Sequence, residues 1–130
     1  MVERQTSRLI LVVDDDPEFL QQALASFGSA NRVLFARDAK HAMDLMGVIG
    51  AEVTVALVDL NLPTESGFDL IQKMRKARPN LPIVAMSGVE SPAVLESAKE
   101  VGADETIPKP ITADWGSTLE RFRAYGRPSA

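Results

Sequence analysis

The chain contains no cysteine, which excludes a disulfide framework, a thiolate zinc site and a cysteine nucleophile. Its single histidine, His41, excludes catalysis or metal binding built on several histidines. No uninterrupted apolar run approaches the ~18 residues of a membrane span. The leading residues Met1-Val2-Glu3-Arg4-Gln5 lack the apolar segment of a secretory signal. Positive charge is not in excess either: 14 Lys and Arg stand against 18 Asp and Glu, a net charge of -4 with histidine neutral. That balance argues against a whole-surface affinity for nucleic acid or acidic membranes. What remains is ordinary for a soluble globular domain, with 45% hydrophobic and 25% charged residues in a chain of 130. That length suits one domain and is short for two. The expectation is a cytoplasmic protein whose chemistry rests on carboxylates, hydroxyls, lysines or a hard metal ion.

Short β-rich runs alternate with amphipathic segments along the chain. Leu9 to Val13 is apolar throughout, as in a strand covered on both faces. Asp16-Pro17 then supplies an N-cap and a first-turn proline, and Phe19, Leu20, Ala23, Leu24 and Phe27 recur at helical spacing up to Gly28. Arg32 to Ala36 reads as a second strand, and Asp38 caps a helix with Ala42, Met43, Leu45, Met46 and Ile49 on its buried side. Val53 to Val58 is rich in β-branched and aliphatic residues and reads as a third strand. Asn61 to Gly67 is turn material, after which Phe68, Leu70, Ile71 and Met74 form a helical stripe that ends before Pro79. Leu81 to Met86 is a fourth strand, entered through Pro82. Ser91-Pro92 repeats the cap-then-proline signal, followed by Val94, Leu95, Ala98, Val101 and a stop at Gly102. Glu105 to Pro108 is a short fifth strand whose proline suits a sheet edge or a strand end. Trp115, Leu119 and Phe122 share a face of a last helix, which Gly116 weakens and which the capping pattern Ser117 to Glu120 allows to begin as late as Ser117.

Five such β-then-α units imply parallel strands joined by right-handed helical crossovers, with helices on both faces of the sheet. The domain is expected over residues 8–125, between a tail at 1–7 and either a tail or the start of a linker at 126–130. Met1 and the short leading tail favour a natural N-terminus.

Ligand sites in open α/β sheets lie beyond the carboxyl ends of the strands, so the residues just after each apolar run are the ones to examine. Asp14, Asp15 and Asp16 follow the first run, Asp59, Leu60 and Asn61 the third, Ser87-Gly88 the fourth, and Lys109-Pro110 the fifth. Gathered at one edge, several carboxylates would face a single ammonium and remain anionic. An all-oxygen donor set of this kind suits Mg²⁺ or Mn²⁺. Asp59 stands alone at the end of the most apolar strand and is the best-placed nucleophile, since carboxylates attack phosphorus to form acyl phosphates. Lys109 and the Ser87 hydroxyl are then suited to pair with phosphoryl oxygens. The spacing suggests Mg²⁺-dependent phosphoryl transfer onto Asp59. Asp16 reads as an N-cap, His41 as a surface residue and the methionines as core.

The stretches Ile10 to Pro17, Val58 to Pro63 with Ser66-Gly67 behind it, Ile83 to Gly88, and Gly102-Ala103-Asp104 leading to Pro108-Lys109-Pro110 carry a family likeness. In them the chain resembles the receiver domain of two-component response regulators, over about residues 8–124. Each motif alone is modest; all of them in this order form a specific signal. The resemblance implies a flavodoxin-like doubly wound (βα)5 fold whose five parallel strands lie in the order 2-1-3-4-5. It implies that Asp59 is the phosphoacceptor. Mg²⁺ would be bound directly by Asp15 and Asp59, by the backbone carbonyl of Asn61, and by Asp14 through water. Ser87 would be the switch hydroxyl, Lys109 would pair with the phosphoryl group, and the Lys109-Pro110 peptide would be cis. Asn61 and Val89 stand where the family tunes hydrolysis. Val89 offers no hydrogen bond to an attacking water, so slower self-dephosphorylation is expected than with a polar residue there.

Two positions depart from the family. Thr106 occupies the place of an aromatic switch residue, and Ile111 follows the Lys-Pro pair where an aromatic is common. The surface around the fifth strand and last helix often forms dimers or docks partners in that family, and a homodimer is left open here. The implied partners are a histidine kinase or histidine phosphotransfer protein on the input side. On the output side stands a downstream protein or an output domain missing from this chain. No direct contact with nucleic acid or membrane is expected. In this reading the domain is regulatory and catalyses only its own phosphorylation and dephosphorylation.

Three alternatives stay open at this point. An aspartate-nucleophile phosphatase of the haloacid dehalogenase type also uses Mg²⁺, a lysine and a hydroxyl, but it needs a second Asp two positions after the nucleophile, where this chain has Asn61. A flavodoxin shares the topology, but the Asp14-Asp15-Asp16 run would repel its flavin phosphate. A receiver retained for binding, with output independent of phosphorylation, is the third.

Overall fold

The computed structural model describes residues 8–29, 31–88 and 92–109, with the single positions 111, 115 and 119. Strands β1 (Leu9–Val13), β2 (Arg32–Ala36), β3 (Val55–Asp59), β4 (Ile83–Ser87) and β5 (Glu105–Pro108) form one parallel sheet in the order β2-β1-β3-β4-β5. Helices α1 (Pro17–Phe27), α2 (Ala39–Ile49), α3 (Gly67–Ala77) and α4 (Pro92–Glu100) connect them. The expected fold class and strand order are those observed, and β5 with its Pro108 lies at an edge.

Alternation along the buried strands divides the core between the two faces of the sheet. Leu9, Leu11 and Val13 of β1 join Ala56, Val58, Ile83 and Ala85 beneath α2, α3 and α4, where Met46, Leu70, Ile71, Met74 and Ala98 close the layer. Ile10 and Val12 turn the other way with Val55, Leu57, Val84 and Met86, against Phe19, Ala23 and Phe27 of α1 together with Trp115 and Leu119. Trp115 and Leu119 are both helical and buried, so helix is already present at Trp115, ahead of a start at Ser117. The other residues expected in the last helix, Ser91, and the peptide at Pro110 lie outside the described residues.

The element boundaries follow from identifiable hydrogen bonds. Asp16 caps α1 by accepting from the Glu18 amide, and Asp38 caps α2 by accepting from the His41 amide. Ser66, which the sequence placed in a turn, caps α3 by accepting from the Asp69 amide, so that helix starts at Gly67. β3 begins two residues later than the hydrophobic run because the Val53 amide is taken by Gly50 in a short 3-10 turn (Gly50–Glu52). β4 begins at Ile83 rather than Leu81, since the Leu81 amide turns back to Arg78 and Pro82 has none to give. Leu24 is exposed, off the stripe that carries Phe19, Ala23 and Phe27 inward. Gly102, just past α4, takes φ 130°, a conformation that L side chains rarely adopt.

Two arginines close the end of the sheet where the strands begin. The Arg75 guanidinium donates to the carbonyls of Leu81 at 2.6 Å, Pro79 at 3.0 Å and Gly102 at 2.6 Å, and pairs with Asp104 at 2.9 Å. Asp104 Oδ2 also accepts from the Ile83 amide at 2.9 Å, and the Asp104 amide donates to the Ile83 carbonyl at 2.8 Å. Arg78 donates to the carbonyls of Val53, at 2.8 Å, and Gly50. The connections into β3, β4 and β5 are thus tied to the end of α3 by charge-assisted bonds, each stronger than a neutral one.

Candidate functional site

Among the described residues, the two buried carboxylates, Asp14 and Asp59, lie at the opposite end of the sheet, where the strands end. β1 ends at Val13, and its backbone course continues for one residue because the Asp14 amide donates to the Ala36 carbonyl at 3.0 Å. That bond fixes Asp14, whose side chain is fully buried. Its Oδ1 accepts from the Asp16 amide at 2.9 Å and its Oδ2 from Lys109 Nζ at 2.7 Å. Asp15 is exposed beside it. On β3, Asp59 is the last strand residue and is buried. Its Oδ1 accepts from the Asn61 amide at 3.1 Å, and its Oδ2 lies 3.5 Å from Lys109 Nζ.

Ligand oxygens of Asp14, Asp15 and Asp59 all lie within 4.8 Å of one another. At an effective dielectric near 20, two unit charges at that separation repel by roughly 3.5 kcal/mol. Three carboxylates share one ammonium, so the cluster stays anionic. Burial pushes the Asp59 carboxyl above its ordinary range; the Asn61 amide opposes this, the Asp14 charge adds to it and Lys109 offsets part of it. For Lys109, burial works against the charged form, but the Asp14 hydrogen bond and the charges of Asp59 and Asp14 outweigh it and raise its pKa. The donor set is all oxygen, crowded and under-neutralised, which fits a hard divalent cation such as Mg²⁺.

Ser87 ends β4, buried beside this cluster, and its carbonyl accepts from the Lys109 amide at 3.0 Å. The strand ends carrying the hydroxyl and the ammonium are thereby fixed to each other. Thr106 is half-buried on β5, in register with Ala85, two residues short of the Ser87–Pro108 pair. Val89 lies outside the described residues. Asn61 is exposed, and with Asp15 it lines an open cavity of about 410 Å³ formed by the segment from Leu60 to Ser66.

Two residues that sequence reasoning assigned elsewhere belong to this neighbourhood. Gly67 was turn material; a Cβ there would lie 2.3 Å from the Asp59 carbonyl oxygen and 2.6 Å from the Leu60 Cα. Only a glycine lets the first turn of α3 lie against the backbone that carries Asp59. The Ser-Gly pair was the visible signal, but its contact is not local. Phe19 recurs at helical spacing on α1 and packs into the core; its ring also lies under Lys109, with Nζ 4.5 Å from the centroid.

A doubly wound parallel sheet with an acidic cluster and a lysine at its carboxyl edge defines a flavodoxin-like α/β domain with a cation- and phosphoryl-suited site. The family profile described as "Response regulator receiver domain" matches residues 10–116, and the chain belongs to that family. It is 35% identical over 110 residues to the DNA-binding transcriptional regulator NtrC of Rhizobium meliloti, a match covering 82% of this chain and 22% of that protein. To the response regulator MprA of Mycolicibacterium vanbaalenii it is 31% identical over 121 residues, covering 91% of this chain and 50% of that one. The chain thus spans between about a fifth and a half of the length of these relatives. Among solved structures, the chemotaxis protein CheY4 of Vibrio cholerae superposes with a TM-score of 0.81 at 26% identity, over 90% of this chain and 99% of that one. The BeF3-activated DrrB receiver domain gives a TM-score of 0.82 at 21% identity, over 92% of this chain and 99% of that one, a likeness of fold.

Proposed function

We propose that this receiver domain accepts a phosphoryl group from a phosphohistidine donor onto Asp59. The observation that carries the reading is the placement of Asp59: buried at the end of a central strand, within 3.5 Å of Lys109 Nζ and in one cluster with Asp14 and Asp15. An Asp59 carboxylate oxygen attacks phosphorus while the bond to the donor imidazole breaks, the electron pair leaving with the imidazole nitrogen. Raising the Asp59 carboxyl by burial makes the oxygen a better nucleophile where it is ionised. Mg²⁺ would be held by Asp15, Asp59 and the Asn61 backbone carbonyl, with Asp14 acting through water, and when bound it supplies neutralisation of the charge that gathers on the phosphoryl oxygens. Lys109 pairs with one phosphoryl oxygen and the Ser87 hydroxyl donates to another. The Lys109–Ser87 backbone bond lets either contact pull on β4 and β5 together, which biases a partner surface that includes Thr106. Hydrolysis of the acyl phosphate by water, at a rate that the positions of Asn61 and Val89 tune, returns the domain to its starting state.

In this reading the domain catalyses only its own phosphorylation and dephosphorylation, within a two-component pathway of the cytoplasm. A histidine kinase or histidine phosphotransfer protein is the donor. Output passes to a partner protein or to a further domain. Among the described residues no helix is long and apolar enough to cross a membrane.

Incubation with acetyl phosphate and Mg²⁺, followed by intact-mass measurement, tests this. A phosphoryl adduct is expected that disappears in Asp59→Asn and on chelation of Mg²⁺. A folded wild-type protein that forms no adduct would overturn the reading. Steady release of phosphate from esters, with no adduct, would favour a phosphatase.

A further inference from the structure

We propose that Phe19 is a positioning residue for Lys109, its ring face serving as the third side of the seat that holds the ammonium; this rests on the phosphoacceptor reading above. Lys109 Nζ is bounded by Asp14 Oδ2 at 2.7 Å, Asp59 Oδ2 at 3.5 Å and the Phe19 ring centroid at 4.5 Å. Two of these contacts are carboxylates that a bound cation also needs. When their charge is drawn toward a cation, the ring face is the attraction left to the ammonium that needs no counter-ion. Its quadrupole favours a cation at this distance, the more so where water is partly excluded.

Neighbouring packing holds the ring. Phe19 is buried, and Trp115 lies against it at a centroid distance of 5.7 Å, tilted by 55°. Trp115 is held in turn by Phe27, stacked at 6.1 Å, and its Nε1 donates to the carbonyl of Pro108 at 3.2 Å. Pro108 directly precedes Lys109. The same indole therefore supports the ring beneath the ammonium and the backbone from which the lysine side chain departs. A Phe serving only as core filler on α1 would be matched by Leu, as at many helix positions facing a sheet. The ring face turned to Nζ is what an aliphatic side chain would not supply. Beside the ring lies an open cavity of about 300 Å³, lined also by Asp16, Glu18, Gln22 and Lys109.

The test measures initial adduct formation from acetyl phosphate at saturating Mg²⁺ in wild type, Phe19→Leu and Phe19→Tyr. Phe19→Leu is expected to be roughly tenfold slower, and Phe19→Tyr within about twofold of wild type. Stepwise fluorination of the phenylalanine ring at position 19, which drains the quadrupole with little change in size, is expected to slow the reaction in proportion. A second readout needs no phosphoryl donor: thermal melting of Phe19→Leu, Lys109→Met and the double variant. The loss in the double variant is expected to be smaller than the sum of the single losses, because the ring matters less once the ammonium is gone. Equal rates in the Leu and wild-type proteins, equal slowing by Leu and Tyr, an ungraded fluorination series, or additive melting losses would each overturn the proposal. If the wild type forms no adduct, the phosphoacceptor reading fails while the melting cycle still decides whether ring and ammonium are coupled.

Discussion

The two ends of the sheet treat buried charge in opposite ways. Where the strands begin, Arg75 and Arg78 donate to backbone carbonyls from three connecting segments, those leading into β3, β4 and β5, and Asp104 is shared between Arg75 and the Ile83 amide. Where the strands end, Asp14, Asp15 and Asp59 gather around one Lys109. Among the described residues no buried side-chain nitrogen or oxygen lacks a hydrogen-bond partner at either end. The difference is in what offsets the charge, since the arginine end sets two guanidinium groups against Asp104 and carbonyl oxygens that accept from them, while the acidic end sets three carboxylates against one ammonium and keeps two negative charges in excess. Hydrogen-bond satisfaction closes a structure, and charge left over at a satisfied site invites a ligand.

Breaking the arginine end should have the largest effect on stability. Arg75→Met strips partners from the Leu81 and Gly102 carbonyls and leaves Asp104 half-paired, and a loss of about 3–5 kcal/mol is expected in urea unfolding. The melting shift on Mg²⁺ addition should survive in that variant, if it remains folded, because the two ends are separate. At ~100 times its dissociation constant Mg²⁺ is expected to stabilise the wild type by roughly 2.7 kcal/mol, with the gain lost in Asp15→Asn. An unchanged melting temperature across a millimolar titration would remove the cation from the acidic end. Gly67→Ala is expected to cost about 1–3 kcal/mol and to slow adduct formation, because its Cβ would drive the Asp59 backbone aside. Both effects should appear together; a stable protein reacting at the wild-type rate would show that the close approach is dispensable.

The smallest effect sharpens the contrast most. Asp59→Asn should raise the melting temperature in chelator, since it removes one of the crowded like charges, whereas Asp104→Asn should lower it. The sign with pH follows from the raised Asp59 carboxyl. The folded state binds that proton more tightly than the unfolded chain does. Metal-free wild type should therefore lose stability as pH rises above the ordinary carboxylate range, and Asp59→Asn should lose less. Parallel melting curves for the two proteins across that range would count against the crowding.

The ends also differ in how openly the sequence declares them. The acidic residues follow directly on apolar runs, and a parallel sheet brings run-ends together, so the gathering of Asp14, Asp59, Ser87 and Lys109 could be anticipated. The strand order came from the likeness of the motifs, because periodicity marks strands without ordering them. The sequence carries no local sign of what Arg75 and Arg78 do. Nothing local distinguishes an arginine facing water from one folded over carbonyls in other connecting segments. Ser66 and Gly67 were legible as turn residues and as part of the family motif, but not as a cap and a close approach, which depend on what lies across the gap. Phe19 was legible as part of a helical stripe, and its second contact was not, since Lys109 is distant along the chain. Helix at Trp115 was hard to read because of the weak propensity of Gly116, and the indole is buried there.

The bond between Lys109 and Asp14 spans 95 positions of the chain. Loops of that length close slowly, and parallel sheets assemble from pairings that no short segment can make alone. During synthesis Asp14 emerges long before the Lys109 ammonium that pairs with it, and until β5 docks against β4 the carboxylates of this end repel one another without that offset. The counter-charge that completes the site is thus also its last part to arrive. A chain interrupted before β5 holds Asp14, Asp15 and Asp59 and lacks the Lys109 ammonium that pairs with two of them, so the charge balance of this end is complete only in the finished fold.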